Sequence, residues 1–276
     1  MTEGINQSVR EAMAKCGWSA GKPGCWTTKL MNGKALPVSA RLDDEWLRVD
    51  AEVPGPFADS WWRMLVSSRS LPPPVRFAAA YADSGAMCVW LVADLAAQNS
   101  GEWSSQVAEV GRAFLEASSR VHAPSFDGND APQVEAAVPE AVIEAVRGAG
   151  WTCAGHAGGL RVFAPLLRRV RFQAEECGEA SAYFLLRTAH RVRAVRAVAR
   201  EESGVAEFVV GWETWLRLNP DAEELERGLA ALTVACRHSR RELAALSDPA
   251  LARRYLSQQD ATPMRRASFT EAPTSR

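Results

Sequence analysis

The stretch Gly17–Gly21, "GWSAG", has the spacing G-x-S-x-G that surrounds the nucleophile of many serine hydrolases. That arrangement needs a strand before the serine and a helix after it. Here a helical pattern precedes Ser19, and a Gly/Pro loop and then a strand follow it, so the order is reversed. An internal repeat described below has Thr152 at the corresponding position. We therefore predict that Ser19 is a polar loop residue and that the chain carries no catalytic serine.

The other residue types with chemical potential are dispersed along the chain. The four histidines show no H-E-x-x-H spacing and the six cysteines form no C-x-x-C pair, so we predict no metal site, no cofactor and reduced thiols. Acidic pairs occur at Asp43–Glu45 and at Glu175 with Glu176, where we expect them to solvate turns at strand ends. No catalytic residue is predicted from these patterns.

Arginines crowd the part of the chain that should form a second sheet. They are Arg161, Arg168, Arg169, Arg171, Arg187, Arg191, Arg193, Arg196 and Arg200. Two interpretations stay open, a solvated sheet face and a surface for an acidic partner. Nucleic acid is the weakest partner, because no aromatic stacking positions alternate with these arginines and the net charge is only −1.

The chain contains an internal repeat. Residues 9–18, "VREAMAKCGW", and residues 142–151, "VIEAVRGAGW", share Val, Glu, Ala, Gly and Trp at the same five places. In both, apolar residues follow i, i+3, i+4, i+7 spacing, which predicts one amphipathic helix. Gly17 and Gly150 stand where such a helix ends in a left-handed residue.

The likeness continues after these helices. Residues 75–92 lie parallel to 192–210, and both predict hairpins that turn at a Ser-Gly pair, Ser84-Gly85 and Ser203-Gly204. A helix follows each hairpin.

The middle of each half predicts strands. Asn32-Gly33 is the favoured two-residue hairpin turn, and residues 45–53 alternate strictly between apolar and polar. Residues 168–188 are expected to take the same place in the second half. Residues 58–70 predict a helix that a triple proline ends, and the second half is expected to lack or shorten it.

These patterns predict an α+β protein with two tandem α-β-β-β-(α)-β-β-α halves and antiparallel sheets. The halves are residues 1–121 and 137–256, joined by a linker at 122–136, with a disordered tail at 257–276. The two halves are expected to pack as an intramolecular pseudo-dimer in a monomeric chain.

The composition is that of a globular protein, with 47% hydrophobic and 24% charged residues. The first residues, "MTEGINQSVREAM", lack the basic and apolar regions of a secretory signal. The most apolar run, at residues 85–97, is too short to span a bilayer and contains Asp94. We expect a cytoplasmic protein that makes no membrane contact.

The order of elements resembles the type III secretion chaperone-like superfamily, which includes the Tir chaperone and YbjN families. The residues that carry the likeness are the helix ends "CGW" and "AGW", the segment "LPPPVRFAAAYADSGAMCVWLVADL" and the helix "VAEVGRAFLEASSRV". Chaperones of this family are usually homodimers of about half this length, and their middle helix commonly contributes to the dimer interface. The resemblance implies two protomers fused in one chain.

The resemblance also implies a function. Such chaperones bind an extended segment of a secreted protein and catalyse nothing, so we expect a non-catalytic, chaperone- or adaptor-like module with a protein or peptide partner. Trp61, Trp62 and Leu65 could line a peptide groove or the junction between halves, or belong to the core. The alternative is an enzyme or small-molecule binder with its site in a cleft between the halves.

Overall fold

The structure of the protein is a computed structural model. It describes residues 2–32, 34–43, 46–53, 60–82, 86–96, 102–122, 135–156, 158–170, 175–201 and 208–258. Most of the predicted linker and tail, the tips of the three predicted hairpins and the pair Asp44-Glu45 lie outside these ranges. No helix within them combines the length and hydropathy needed to cross a membrane.

The first half follows the predicted order of elements, with one short strand added. It comprises α1 (Thr2–Lys15), β1 (Ser19–Ala20), β2 (Cys25–Asn32), β3 (Lys34–Asp43), β4 (Trp46–Glu52), α2 (Trp61–Ser67), β5 (Arg76–Tyr81), β6 (Met87–Ala96) and α3 (Trp103–His122). A 3-10 turn, Ser68–Ser70, extends α2 before the prolines. The strict alternation predicted for β4 is confirmed, because Leu47, Val49 and Ala51 are buried and the residues between them are half-buried.

The second half departs from the prediction in its middle. It comprises β7 (Glu135–Ala136), α4 (Glu140–Gly148), β8 (Thr152–His156), β9 (Gly159–Val170), α5 (Glu175–Arg191), β10 (Arg196–Glu201), β11 (Phe208–Leu216), α6 (Ala222–Ala245) and α7 (Pro249–Gln258). The expected strand within 168–188 is therefore largely wrong, since most of that stretch is helix α5. The expectation that the second half lacks a middle helix is also wrong.

The physical reason for this error lies in the surroundings of α5. The helix packs against α2, β5, α6 and α7 at once, so side chains on nearly every side of it are buried. A helix that is buried on all sides has apolar residues all round, so its sequence lacks the 3.6-residue apolar period from which an amphipathic helix is predicted. The second half has 17 residues in its middle helix, against 7 in α2.

Every strand pairing is antiparallel within the described residues, and the predicted α+β class is confirmed. One sheet has the strand order β1-β2-β3-β4-β6-β5, and the other has the order β10-β11-β9-β8-β7. In both sheets the strand before the middle helix pairs with the last strand of the half, β4 with β6 and β9 with β11. The hairpins β5–β6 and β10–β11 complete the same arrangement.

The two halves touch through their middle helices. Helix α2 packs against α5, and each helix also contacts the other half's sheet, α2 on β10 and α5 on β5. Buried side chains from both halves belong to one continuous hydrophobic cluster. The contacts between the halves are therefore reciprocal, and they involve corresponding elements.

The two repeated glycines end their helices as predicted. Gly17 has φ +75° and Gly150 has φ +76°, both in the left-handed region. No atom outside the neighbouring residues lies within 4 Å of the position that a Cβ would take at either glycine. The conformation, and not a lack of space, therefore selects glycine at these helix ends.

Replacing Gly17 with alanine is expected to lower the free energy of unfolding by about 1 kcal/mol, because an L-residue is strained at this φ. The matched control is Gly148→Ala, at the end of α4, where a Cβ again meets nothing within 4 Å and φ is not positive. There alanine should be neutral or stabilising by up to about 0.5 kcal/mol. Urea denaturation measures both, and a change of the same sign in the two variants would contradict the argument.

Candidate functional site

A buried arginine of the first half holds the end of the second half's middle helix. Arg76, the first residue of β5, forms an ion pair with Asp94 of β6, with 2.6 Å between Nη2 and Oδ2. Its Nε donates to the carbonyl oxygen of Ala189 at 2.9 Å, and Nη2 donates to that of Val192 at 3.0 Å. The backbone N–H of Ala194 donates to Asp94 at 3.0 Å. One buried ion pair thus satisfies backbone groups where α5 ends.

The second half contains a corresponding ion pair, whose arginine donates to backbone groups of the first half. Arg196, the first residue of β10, pairs with Glu213 of β11, with 2.8 Å between Nε and Oε1. Its Nη1 donates to the carbonyl oxygen of Leu71 at 2.7 Å, and Nη2 reaches that of Arg69 at 3.4 Å. Both acceptors lie in the turn that follows α2. Each half therefore anchors the chain after the other half's middle helix.

Glu213 is the centre of the larger of the two clusters. Its side chain has no exposed surface, and it forms ion pairs with Arg196, with Arg200 at 3.0 Å and with Arg161 at 3.6 Å. The indole N–H of Trp215 donates to it at 3.1 Å, and the guanidinium of Arg161 lies 4.7 Å from the centre of the Trp215 ring. Burial alone would raise the pKa of Glu213, but the three arginines outweigh burial and lower it.

The structure corrects the interpretation of the second-half arginines as a solvated sheet face. Arg161 and Arg196 are 5% and 3% exposed, and they point at one buried carboxylate. Arg187 and Arg191 belong to α5 and not to a sheet. Of the remaining five residues, Arg193 forms an ion pair with Asp43 and Arg200 forms one with Glu213. Arg171 and the side chains of Arg168 and Arg169 lie outside the described residues.

A cleft of about 460 Å³ opens between the halves next to these clusters, and we refer to it as the main cleft. The ends of β4, β6 and helix α3 form one wall, and the ends of β10, β11 and helix α6 form the other. Its lining residues are Trp46, Pro74, Val75, Asp94, Leu95, Ala96, Gln106, Glu109, Ala194, Val195, Arg196, Glu213, Thr214, Trp215, Leu216, Arg217, Asp221, Glu224, Arg227 and Gly228.

The charged residues of the main cleft are largely paired with each other. Arg217 is bonded to both Asp221 and Glu224, with 2.5 Å between each pair of atoms. Asp221 also caps α6 by accepting from the backbone N–H of Glu224 at 2.8 Å. Apolar surface comes from Trp46 and Trp215, among others. The cleft thus offers hydrogen-bonding groups and apolar side chains, and its described lining residues include five carboxylates and three arginines.

A second cavity, of about 370 Å³, lies beside the first, and we refer to it as the arginine cavity. Trp46 lines both. The other lining residues are Arg41, Asp43, Arg48, Asp50, His190, Arg191 and Arg193. Both halves again build the cavity. Its residues from Arg41 to Asp50 belong to β3 and β4 of the first half, and its residues from His190 to Arg193 belong to the end of α5 and the turn after it.

Trp61, Trp62 and Leu65 lie on α2, at the contact with the second half, and none of them lines either cavity. Trp61 and Leu65 are fully buried, and the Trp61 ring lies 5.2 Å from that of Tyr183 on α5. The backbone N–H of Trp61 donates to the Glu179 carboxylate of α5 at 2.7 Å. Glu179 therefore caps α2 across the junction of the halves.

The remaining sequence candidates stay apart. Ser19 is exposed on the short strand β1 and comes after a helix. His156, His190 and His238 lie on β8, α5 and α6, respectively. Glu175 and Glu176 begin α5, and so they are at a helix start and not at the strand end that we expected. All six cysteines are free thiols.

Sequence reasoning missed Arg76, Asp94 and Glu213, although a signal was present. A single charged residue interrupts an apolar strand at each of these positions, and a valine precedes the arginine in both Val75-Arg76 and Val195-Arg196. The alignment of 75–92 with 192–210 had placed Arg193, and not Arg196, opposite Arg76. Strand pairing shows that Arg76 and Arg196 correspond, since each begins the strand that follows the middle helix.

No protein-family model matches the chain, and no curated protein sequence matches it.

Proposed function

We propose that this protein is a non-catalytic binding module that holds an extended segment of a partner protein in the main cleft between its two halves. The observation that carries the proposal is the cleft itself, which has corresponding elements of both halves as its walls. The order of elements in the first half, with the resemblance to the type III secretion chaperone-like superfamily, supports a chaperone- or adaptor-like role.

The lining chemistry suits a polypeptide backbone. An extended segment exposes N–H donors and C=O acceptors along its whole length. A site that binds it needs hydrogen-bond acceptors and donors of its own, with apolar surface between them. At the exposed side of the cleft, Arg217 carries N–H donors and Glu109 carries carboxylate acceptors. Because most of these charges are already paired, the cleft favours neutral polar groups over a strongly charged ligand.

The same chemistry favours binding over catalysis. Histidine, cysteine and serine are absent from the described lining residues of the main cleft, and these are the side chains that most often act as nucleophile or general base. The carboxylates of Asp221 and Glu224 are engaged by Arg217 and by the helix start. A small-molecule ligand is the second candidate, because a volume of about 460 Å³ lies within the range of small-molecule pockets.

A photoreactive amino acid at position 109 tests the proposal. Glu109 is an exposed residue of α3 that lines the main cleft, whereas Arg112, one turn further along the same helix, does not line it. Each replacement removes the same weak pair between Glu109 and Arg112, whose atoms lie 3.9 Å apart. We expect irradiation of native extract to cross-link position 109, and not position 112, to one contiguous stretch of one polypeptide.

A blocking variant completes the experiment. Glu109→Trp should fill part of the main cleft and prevent capture of that polypeptide, whereas Arg112→Trp should leave capture unchanged. Cross-linking of both positions to many proteins would contradict a specific cleft. Native mass spectrometry that shows a bound small molecule, with no polypeptide cross-link at position 109, would favour the second candidate.

A further inference from the structure

The arginine cavity has properties that the proposed function does not use. It shares Trp46 with the main cleft, and its described lining residues include four arginines and two aspartates. Such an excess of guanidinium groups in a concave site costs energy unless an anion shares the space.

Two of the four arginines are occupied by the two aspartates. Arg193 forms an ion pair with Asp43 across the junction of the halves. Arg48 lies 3.7 Å from Asp50, which also accepts a hydrogen bond from the hydroxyl of Ser39. The aspartates are therefore neutralised within the cavity, and the charge that remains among its described lining residues is that of two guanidinium groups.

The remaining two are Arg41 of β3 and Arg191 at the end of α5, and both are exposed. Arg48 lies deeper, with only 12% of its side chain exposed, and its Nη2 donates to the carbonyl oxygen of His190 at 2.5 Å. The first half thus supplies a hydrogen-bonded guanidinium at the buried side of the cavity, and each half supplies an exposed one.

His190 lies among these charges. Burial, and after it the charges of Arg48, Arg76 and Arg191, lower the pKa of its imidazole to about 4, against the opposing effect of Asp94. The imidazole is neutral near pH 7, so it neither adds to nor reduces the excess of two positive charges. The other nearby ion pair, Arg76 with Asp94, is internally neutral.

We propose that the arginine cavity binds a phosphate monoester, with Arg41 and Arg191 holding the dianion against Arg48. Among the described residues these two guanidinium groups have no carboxylate partner, so they match the two charges of such an ester, and their planar N–H pairs match its oxygens. A volume of about 370 Å³ exceeds the phosphoryl group by a wide margin. The ligand therefore carries an organic body, for which the half-buried ring of Trp46 supplies apolar surface.

Titration calorimetry of the full chain tests this site with three probes, inorganic phosphate, phenyl phosphate and a short phosphoserine peptide. We expect all three to bind, and phenyl phosphate to bind more tightly than inorganic phosphate because its ring can contact Trp46. Comparison of phenyl phosphate with the peptide distinguishes a free metabolite from a modified partner as the source of the ester. Binding should weaken as salt is added.

Three variants connect binding to the cavity. Arg41→Gln and Arg191→Gln should each weaken phosphate binding about tenfold or more, and the double variant should abolish it. The control is Arg112→Gln, which removes another exposed arginine, from α3 and outside the cavity. Thermal unfolding should be the same in all four proteins, since Arg41 and Arg191 are exposed. Absence of binding at about 1 mM probe, or equal binding by the Arg41→Gln and Arg112→Gln variants, would overturn the proposal.

Discussion

Replacing Glu213 with alanine should lower the free energy of unfolding by about 3–5 kcal/mol, the cost of leaving a buried charge uncompensated. The carboxylate has no exposed surface and is shared by Arg161, Arg196 and Arg200. Its removal leaves the nearly buried guanidinium groups of Arg161 and Arg196 without a counter-charge. Arg200 also loses its partner, but its side chain is 24% exposed and water solvates part of its charge. Trp215 also loses the acceptor of its indole N–H. Urea denaturation followed by tryptophan fluorescence measures the loss.

The matched control is Glu223→Ala, at the start of α6. Glu223 also pairs with an arginine, Arg227 at 3.3 Å, but 72% of its side chain is exposed. Water already solvates that pair, so its loss should cost less than about 1 kcal/mol. A similar loss in the two variants would mean that the burial of Glu213 does not matter.

The pH dependence follows from the lowered pKa of Glu213. A carboxyl group whose pKa is lower in the folded protein stabilises it above the unfolded value, about 4.3, and this stabilisation is lost as pH falls through the folded value. The difference in unfolding free energy between the wild type and Glu213→Gln should be largest near neutral pH and should shrink below about pH 4. A difference that grows on acidification would contradict this sign.

Replacing Arg76 with leucine should also lower the free energy of unfolding by about 3–5 kcal/mol. The change leaves the Asp94 carboxylate, which has no exposed surface, without its guanidinium partner. It also removes the two hydrogen bonds that hold the carbonyl oxygens of Ala189 and Val192. Because these acceptors belong to the other half, amide hydrogen exchange should speed up at the end of α5 as well as in β5.

A double-mutant cycle separates the ion pair from the rest of the effect. Adding Asp94→Leu to Arg76→Leu removes the uncompensated charge, so the double variant should be more stable than the single Arg76→Leu variant. The control Arg112→Leu removes an exposed arginine and should change stability by less than about 0.5 kcal/mol. Additive losses in the cycle would show that Arg76 and Asp94 do not act as a pair.

Together these two clusters explain how the halves are held in register. Arg76 and Arg196 occupy the same position in their halves, and each donates to carbonyl oxygens at or just after the end of the other half's middle helix. A buried guanidinium group needs several hydrogen-bond acceptors in fixed places, so few alternative packings of the two halves would satisfy it. The spacing between the two walls of the main cleft is fixed as a result. Both cavities lie along this junction.

Local patterns in the sequence determined much of the fold. The repeated helix ends at Gly17 and Gly150, the alternation of residues 45–53 and the two late hairpins each depend on contacts between near neighbours. Their period or turn chemistry is visible in a short window. The α+β class and the antiparallel sheets followed from these elements.

Only the tertiary structure decided the role of residues that act across the junction. Helix α5 was mistaken for a strand because four neighbouring elements bury it, which removes its polar face. Asp94 and Glu213 were isolated charges in apolar strands until the fold brought Arg76 and Arg196 beside them. The sequence by itself determined which residues are apolar, where helices end and that two halves exist. It did not determine which charges meet, because ion pairs between distant residues leave no periodic trace in one chain.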